Sequence, residues 1–211
     1  MNAPQTPRLL TEDDLARHLA RAYRLARADD LSWRPIEEHL HARRSAAFIE
    51  AFAAQLVQHY AQAPGVCVFR KTQPALHFKR GGSQRSEFLF DVLACVMEKC
   101  PPAIRYDVPH LDFIQAPLFQ MESELAQDTA EAAEDFSKLV CGAAPQSLFV
   151  GPLTHNHDPF LKVLACIAPH VPSKEVYCGF ILHPKSWADR DALPKLYRWR
   201  VDRWDEVSAQ S

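Results

Sequence analysis

Two runs of the chain place carboxylates an even number of residues apart, the spacing that lines one face of a β-strand. In Glu87-Phe88-Leu89-Phe90-Asp91-Val92-Leu93-Ala94-Cys95-Val96, which reads as a long, mostly buried strand, Glu87, Leu89 and Asp91 share a face. In Leu118-Phe119-Gln120-Met121-Glu122-Ser123-Glu124, Gln120, Glu122 and Glu124 share one face, and Phe119, Met121 and Ser123 point the other way. Paired with those faces together, the two strands bring Asp91 to Glu122, with Glu124 or Glu87 nearby. Carboxylates held together repel unless a cation lies between them or a proton is shared. Mg2+ (or Mn2+) takes such a site, using few carboxylates together with waters and substrate phosphate oxygens. An ion there lowers the pKa of a bound water and clamps the oxygens of an in-line displacement. The chemistry such a cluster would do is phosphodiester hydrolysis. Two plainer readings compete with it. Glu122 and Glu124 lie on a solvated sheet face, or Asp91, whose apolar surroundings demand a partner, is neutralised by an arginine or a lysine.

The elements that would position these residues follow from periodicity. Residues 1–10 read as a loose leader, and Thr11 caps an amphipathic helix over 12–28 whose first turn holds Glu12, Asp13 and Asp14. A second helix is expected over 36–62, stopped by Pro64-Gly65. Val66–Phe69 and Ala75–Lys79 read as strands, and Gly81-Gly82-Ser83 as a turn. The two acid-bearing strands follow. A helix over 127–141 comes next, with Phe136, Leu139 and Val140 on its buried stripe and Gly142 in the place of a C-terminal glycine. Ser147–Val150 and Val176–Leu182 read as strands on either side of a helix over 159–168. Leu196–Trp204, which alternates Tyr197, Trp199 and Val201 against Arg198, Arg200 and Asp202, reads as one last strand. The fold class is α/β of the α+β kind, a central mixed sheet flanked by helices in a single domain over 11–206.

Asp91 inside an apolar strand, then Gln120-Met121-Glu122-Ser123-Glu124, then Asp135-Phe136-Ser137-Lys138-Leu139-Val140 on a helix, then Leu148-Phe149-Val150, together resemble the PD-(D/E)XK, or restriction-endonuclease-like, superfamily. The resemblance covers residues 36–151 and implies an α-β-β-β-α-β core preceded by an N-terminal helix. It implies Mg2+-dependent cleavage of nucleic acid, with Asp91 as the metal-binding acid of the second core strand and Glu122 as that of the third. Glu124 stands where the family pattern has a lysine, and is a further candidate metal ligand. Some members borrow the lysine from the following helix, which makes Lys138 the candidate here. At 100° per residue Lys138 lies roughly opposite Phe136, facing away from the buried stripe. Glu50 matches loosely the extra helical acid of some members. A non-catalytic binding module that kept the scaffold and lost the lysine is the alternative.

Composition sets bounds on both readings. The chain has 211 residues, 47% hydrophobic and 24% charged, and a formal net charge of −2. With no global basic field, DNA or RNA would need a local patch. Arg70, Lys71, Lys79, Arg80 and Arg85, with His77, are the candidates, and a charge-protected hairpin edge is the competing reading. The six cysteines lack C-x-x-C spacing and read as reduced, mostly buried thiols of a cytoplasmic protein. No signal peptide and no apolar run of the ~20 residues that span a bilayer is present, so no membrane partner is expected. His155-Asn156-His157-Asp158 reads as helix capping ahead of Pro159, and His110 with Asp112 as a loop feature. The glycines offer no phosphate loop, and no G-x-S-x-G is present. Tyr197, Trp199 and Trp204 read as core aromatics, with base stacking as the alternative.

Overall fold

The computed structural model describes residues 7–30, 40–71, 89–99, 112–187 and 192–208. Its helices are α1 (Glu12–Asp30), α2 (Leu40–His59), α3 (Thr129–Lys138) and α4 (Asp158–Ile167). Its strands are β1 (Val66–Arg70), β2 (Val92–Lys99), β3 (Asp112–Ser123), β4 (Gln146–Leu153), β5 (Glu175–Leu182), β6 (Lys195–Arg200) and β7 (Arg203–Glu206). The seven strands form one mixed sheet in chain order, β1 to β7. β1, β2 and β3 are an antiparallel meander. β4 lies parallel to β3 and β5 parallel to β4, and each parallel step is bridged by a helix, as parallel pairing requires. β5, β6 and β7 finish antiparallel. The expected mixed sheet flanked by helices is the fold.

Strand alternation sends the two faces of the sheet to two cores. Val92, Ala94, Phe119, Met121, Leu148, Val150 and Tyr177 pack with Leu15 and Leu19 of α1 and Phe48 and Phe52 of α2. Leu93, Cys95, Phe149, Cys178 and Phe180 pack with Phe136 of α3 and Phe160 and Leu164 of α4. Thr11 caps α1 reciprocally: its Oγ1 accepts the Asp14 N–H at 3.1 Å, and Asp14 Oδ2 accepts the Thr11 N–H at 3.0 Å. At Gly65 the chain turns out of α2 with φ +76°, a conformation that suits glycine, and the Gly65 carbonyl accepts Met97 N–H at 2.7 Å.

Several expectations are corrected. The acid-bearing strand begins at Val92, so Asp91 sits in the bend before β2, while β3 starts six residues earlier than expected. Residues 195–206 are a hairpin, not one strand. Val201, at φ 40° and fully outside, forms its turn, and Trp199 meets Trp204 edge-on at 5.2 Å. Gly142 is not a left-handed helix cap. α3 ends at Lys138, a 3-10 turn spans Leu139–Cys141, and Gly142 is extended at φ −91°. Of the five described cysteines, all free thiols, only Cys95 and Cys178 are buried. Cys67 faces outward from the edge strand β1, and Cys141 and Cys166 are exposed as well. The expected strand 75–79, Glu87, His110, Lys79, Arg80 and Arg85 lie outside the described residues. Among the described residues, no helix is long and apolar enough to cross a membrane.

Candidate active site

The register Val92↔Met121 places Asp91 opposite Glu122, at the end of β3 where the meander meets the parallel strands. Both acids are nearly out of solvent, with side chains 6% and 3% exposed. The Asp91 N–H donates to Glu122 Oε1 at 3.3 Å. Asp91 Oδ2 accepts from the Ser123 backbone N–H at 3.0 Å and from its hydroxyl at 2.6 Å. Asp91 Oδ1 faces Lys71 Nζ at 3.5 Å. One carboxylate oxygen is thus locked by Ser123 and the other is turned toward a cation. Ser123, on the opposite face from Glu122 by strand parity, reaches Asp91, which lies in the bend before β2 and so outside the strand alternation. Replacing Ser123 by alanine removes one charge-assisted hydrogen bond and keeps the backbone one. The expected loss is about 1–2 kcal/mol of stability, read from urea unfolding midpoints; an unchanged midpoint would show that Asp91 does not need the hydroxyl.

α3 carries the third member. Asp128 caps this helix, accepting the Ala130 N–H at 2.7 Å, and the buried Phe136 meets Phe149 edge-on at 5.5 Å. Phe149 is the β4 neighbour of Glu122. Anchoring Phe136 there suspends the flanking residues of α3 over Glu122. Lys138 Nζ lies 3.6 Å from Glu122 Oε2 and 2.5 Å from Asp135 Oδ1. Helix geometry alone turned Lys138 away from the stripe; its long side chain, 38% exposed, runs back along the helix edge to the site.

Burial, and then the Asp91 charge, push the Glu122 carboxyl up to about 8, against the opposing pull of Lys138. Lys138 is itself shifted upward, first by its bond to Asp135 and less by Glu122. The short contact is the one to Asp135, and at 3.6 Å Glu122 is too far for a hydrogen bond, so the ammonium belongs chiefly to Asp135. In the metal-free chain burial and the Asp91 charge thus favour the protonated form of Glu122.

The remaining predicted residues are placed elsewhere. Glu124 accepts the Ala126 N–H at 2.5 Å, and its carboxyl is pushed up by burial and by Asp135 and Glu131. Its partners are thus the turn and Asp135, not Asp91 or Glu122. Glu50 pairs with Arg70 at 2.5 Å on the side of the sheet edge, which commits that arginine to an internal acid. His157 bonds Tyr197 through Nε2 at 2.7 Å, and Asn156 Oδ1 accepts the Asp158 N–H at 3.1 Å. Asp135 and Ser123 are the site residues that pattern reading missed. Asp135 had a signal, an acid three residues before a lysine on one helix edge; Ser123 had none, since parity assigned it to the other face. Among the described residues no three His, Cys, Asp or Glu side chains are grouped to hold a metal.

Comparison with protein-family models, with curated proteins and with solved structures finds no match to the chain.

Proposed function

We propose that the chain is a Mg2+-dependent (or Mn2+-dependent) phosphodiesterase acting on nucleic acid, built on a restriction-endonuclease-like core. The observation that carries this reading is the meeting of Asp91, Glu122 and Lys138, from a bend, a strand and a helix, at one sheltered point. The element order α2-β1-β2-β3-α3-β4, an antiparallel meander followed by a parallel strand, supports it. So does the lysine, since Lys138 supplies from α3 the cation that Glu124 cannot.

The donor set fits a hard divalent cation. Glu122 is a buried carboxyl beside a second acid, with no donor closer than 3.3 Å among its described contacts. Such a group is stabilised by a cation or by a proton. Two carboxylates are a common protein contribution to a Mg2+ site, which waters and phosphate oxygens complete. Asp91 and Glu122 would hold the ion, and Ser123 would fix the direction of Asp91. When bound, the ion would acidify a water and neutralise charge on the phosphoryl oxygens. Lys138, left charged by Asp135, stands where it can orient the attacking water or bind a phosphate oxygen. Lys71 lies on the other flank of Asp91 and is half exposed, so it can meet the backbone of a bound strand. The free thiols suit a reducing, cytoplasmic setting.

The test is cleavage of a plasmid and of labelled single-stranded DNA and RNA with Mg2+ or Mn2+. The reading expects cutting by the wild type, and loss of it with a chelator, in Glu122→Gln and in Lys138→Met. No cutting of any substrate, or cutting that survives both substitutions, would sink it and favour the non-catalytic module.

A further inference from the structure

We infer that Asp135 is a positioning residue, which mounts the Lys138 ammonium over Glu122 and so installs a helix-borne lysine where a strand-borne one is missing. The inference rests on the phosphodiesterase reading for its consequence, and on geometry for its content.

A lysine with 38% of its side chain exposed has many solvent-facing rotamers open to it. Glu122 does not by itself select among them, because its oxygen is 3.6 Å from the amine. Asp135 does, at 2.5 Å. The two residues stand at i and i+3 on α3, so any small shift of the helix carries both together and leaves their contact intact. Asp135 is less exposed than the lysine, at 21%, and is therefore the steadier of the pair. Its own surroundings restrain it: Glu124 lies against its carboxyl on the turn from β3 to α3, and that turn is fixed by the Glu124–Ala126 bond. Between Asp135 and Lys138 sits Phe136, fully buried and packed edge-on against Phe149, the strand neighbour of Glu122. The chain of restraint thus runs from core packing to helix position, from helix to Asp135, and from Asp135 to the amine. Asp135 touches no reacting atom in this scheme. It acts through Lys138.

The test compares wild type, Asp135→Asn and Asp135→Glu, all in the full chain. The first readout is cleavage with Mg2+. Asp135→Asn is expected to lower kcat at least tenfold with a much smaller change in KM, since Asp135 itself touches no substrate and only the lysine is freed to wander. Asp135→Glu, which keeps the charge with one more methylene, is expected to restore most of kcat. The second readout needs no activity: brief acetylation with acetic anhydride, quantified by mass spectrometry at each lysine. Lys138 is expected to react several-fold faster in Asp135→Asn, with Lys162 and Lys195 unchanged as internal references. A wild type that cleaves, with Asp135→Asn cleaving at the same rate, overturns the inference and leaves the phosphodiesterase intact. A wild type that does not cleave removes the enzymatic reading. The acetylation then decides alone: faster labelling of Lys138 upholds the mounting, and equal labelling overturns it.

Discussion

Glu122→Gln will stabilise the metal-free chain at pH 8 by about 2–4 kcal/mol, a gain from altering a residue assigned to the site. The sign follows from the shift. An ordinary glutamate in the unfolded chain titrates near 4.5, and in the folded chain Glu122 is pushed up to about 8, first by burial and then by Asp91. Below pH 4.5 both states hold the proton and the residue is neutral in its effect. Between the two values the unfolded state has lost its proton and the folded state keeps it, so stability falls as pH rises. Above about 8 the full penalty is present. At ~1.4 kcal/mol per pH unit the shift would correspond to roughly 5 kcal/mol, and relaxation around a real carboxylate reduces that. Glutamine is neutral throughout and can still accept the Asp91 N–H. Urea unfolding of both proteins at pH 4, 6 and 8 checks this: the curves should coincide at pH 4 and diverge toward pH 8. A variant less stable than wild type at pH 8 would mean that Glu122 is ionised and held by Lys138. Stabilisation by removal of an acid is the usual mark of a group kept for function at a cost in stability.

Gly142→Ala will cost about 2–4 kcal/mol, though the backbone there is in a region open to any residue. At φ −91° the alanine meets no conformational obstacle. The obstacle is space, because a Cβ at this position would lie 1.9 Å from Gln120 Oε1. Gln120 is wholly buried and cannot step aside cheaply. Its Nε2 donates to the Leu139 carbonyl at 3.0 Å and to Ser147 Oγ at 2.8 Å, and its Oε1 accepts from Ala144 N–H at 3.4 Å. Moving the amide leaves several buried polar groups unpaired, at about 1–3 kcal/mol each before relaxation. Thermal and urea unfolding measure the loss, and a double-mutant cycle assigns it. In a Gln120→Ala background, Gly142→Ala should cost under about 1 kcal/mol, because the clash is gone. An equal cost in both backgrounds would place the cause elsewhere. The same hydrogen bonds tie the end of α3 to β3 and β4, and so hold Lys138 near Glu122. Weakened order at this joint should accompany the loss.

The legible part of the fold was the part written in short-range periodicity. The apolar stripes of α1 and α2, the cap at Thr11, the opening of α4 at Pro159, and the alternation around Glu122 each state an orientation within a few residues. Strand parity set Glu122 on one face of its own strand, and its meeting with Asp91 depended on how the two strands pair; the register Val92↔Met121 brings the bend at Asp91 beside Glu122. The β6–β7 turn was not legible, because Val201-Asp202 carries none of the glycine or asparagine chemistry that marks a tight hairpin. The role of Gly142 was not legible either. Its neighbour Gln120 is 22 positions away in sequence, and no local rule reports a missing Cβ's space. The reach of Lys138 was not legible for a third reason. A helical wheel gives the direction of Cβ, whereas an ammonium several ångströms further out goes where its partner is. Asp135 supplies that partner, and only the packing of Phe136 on Phe149 decides what lies beneath the pair.

Titration of the metal-free chain with Mn2+ by calorimetry, beside Asp91→Asn and Glu122→Gln, tests the central claim most directly. Binding of one ion by the wild type at millimolar concentrations or below, lost in both variants, is the predicted result, since each carboxylate is needed and Mn2+ accepts the same oxygen ligands as Mg2+. Proton release on binding at pH 7 should accompany it, as Glu122 exchanges its proton for the ion. Binding that survives both substitutions, or no binding by the wild type, would contradict a cation site at Asp91 and Glu122.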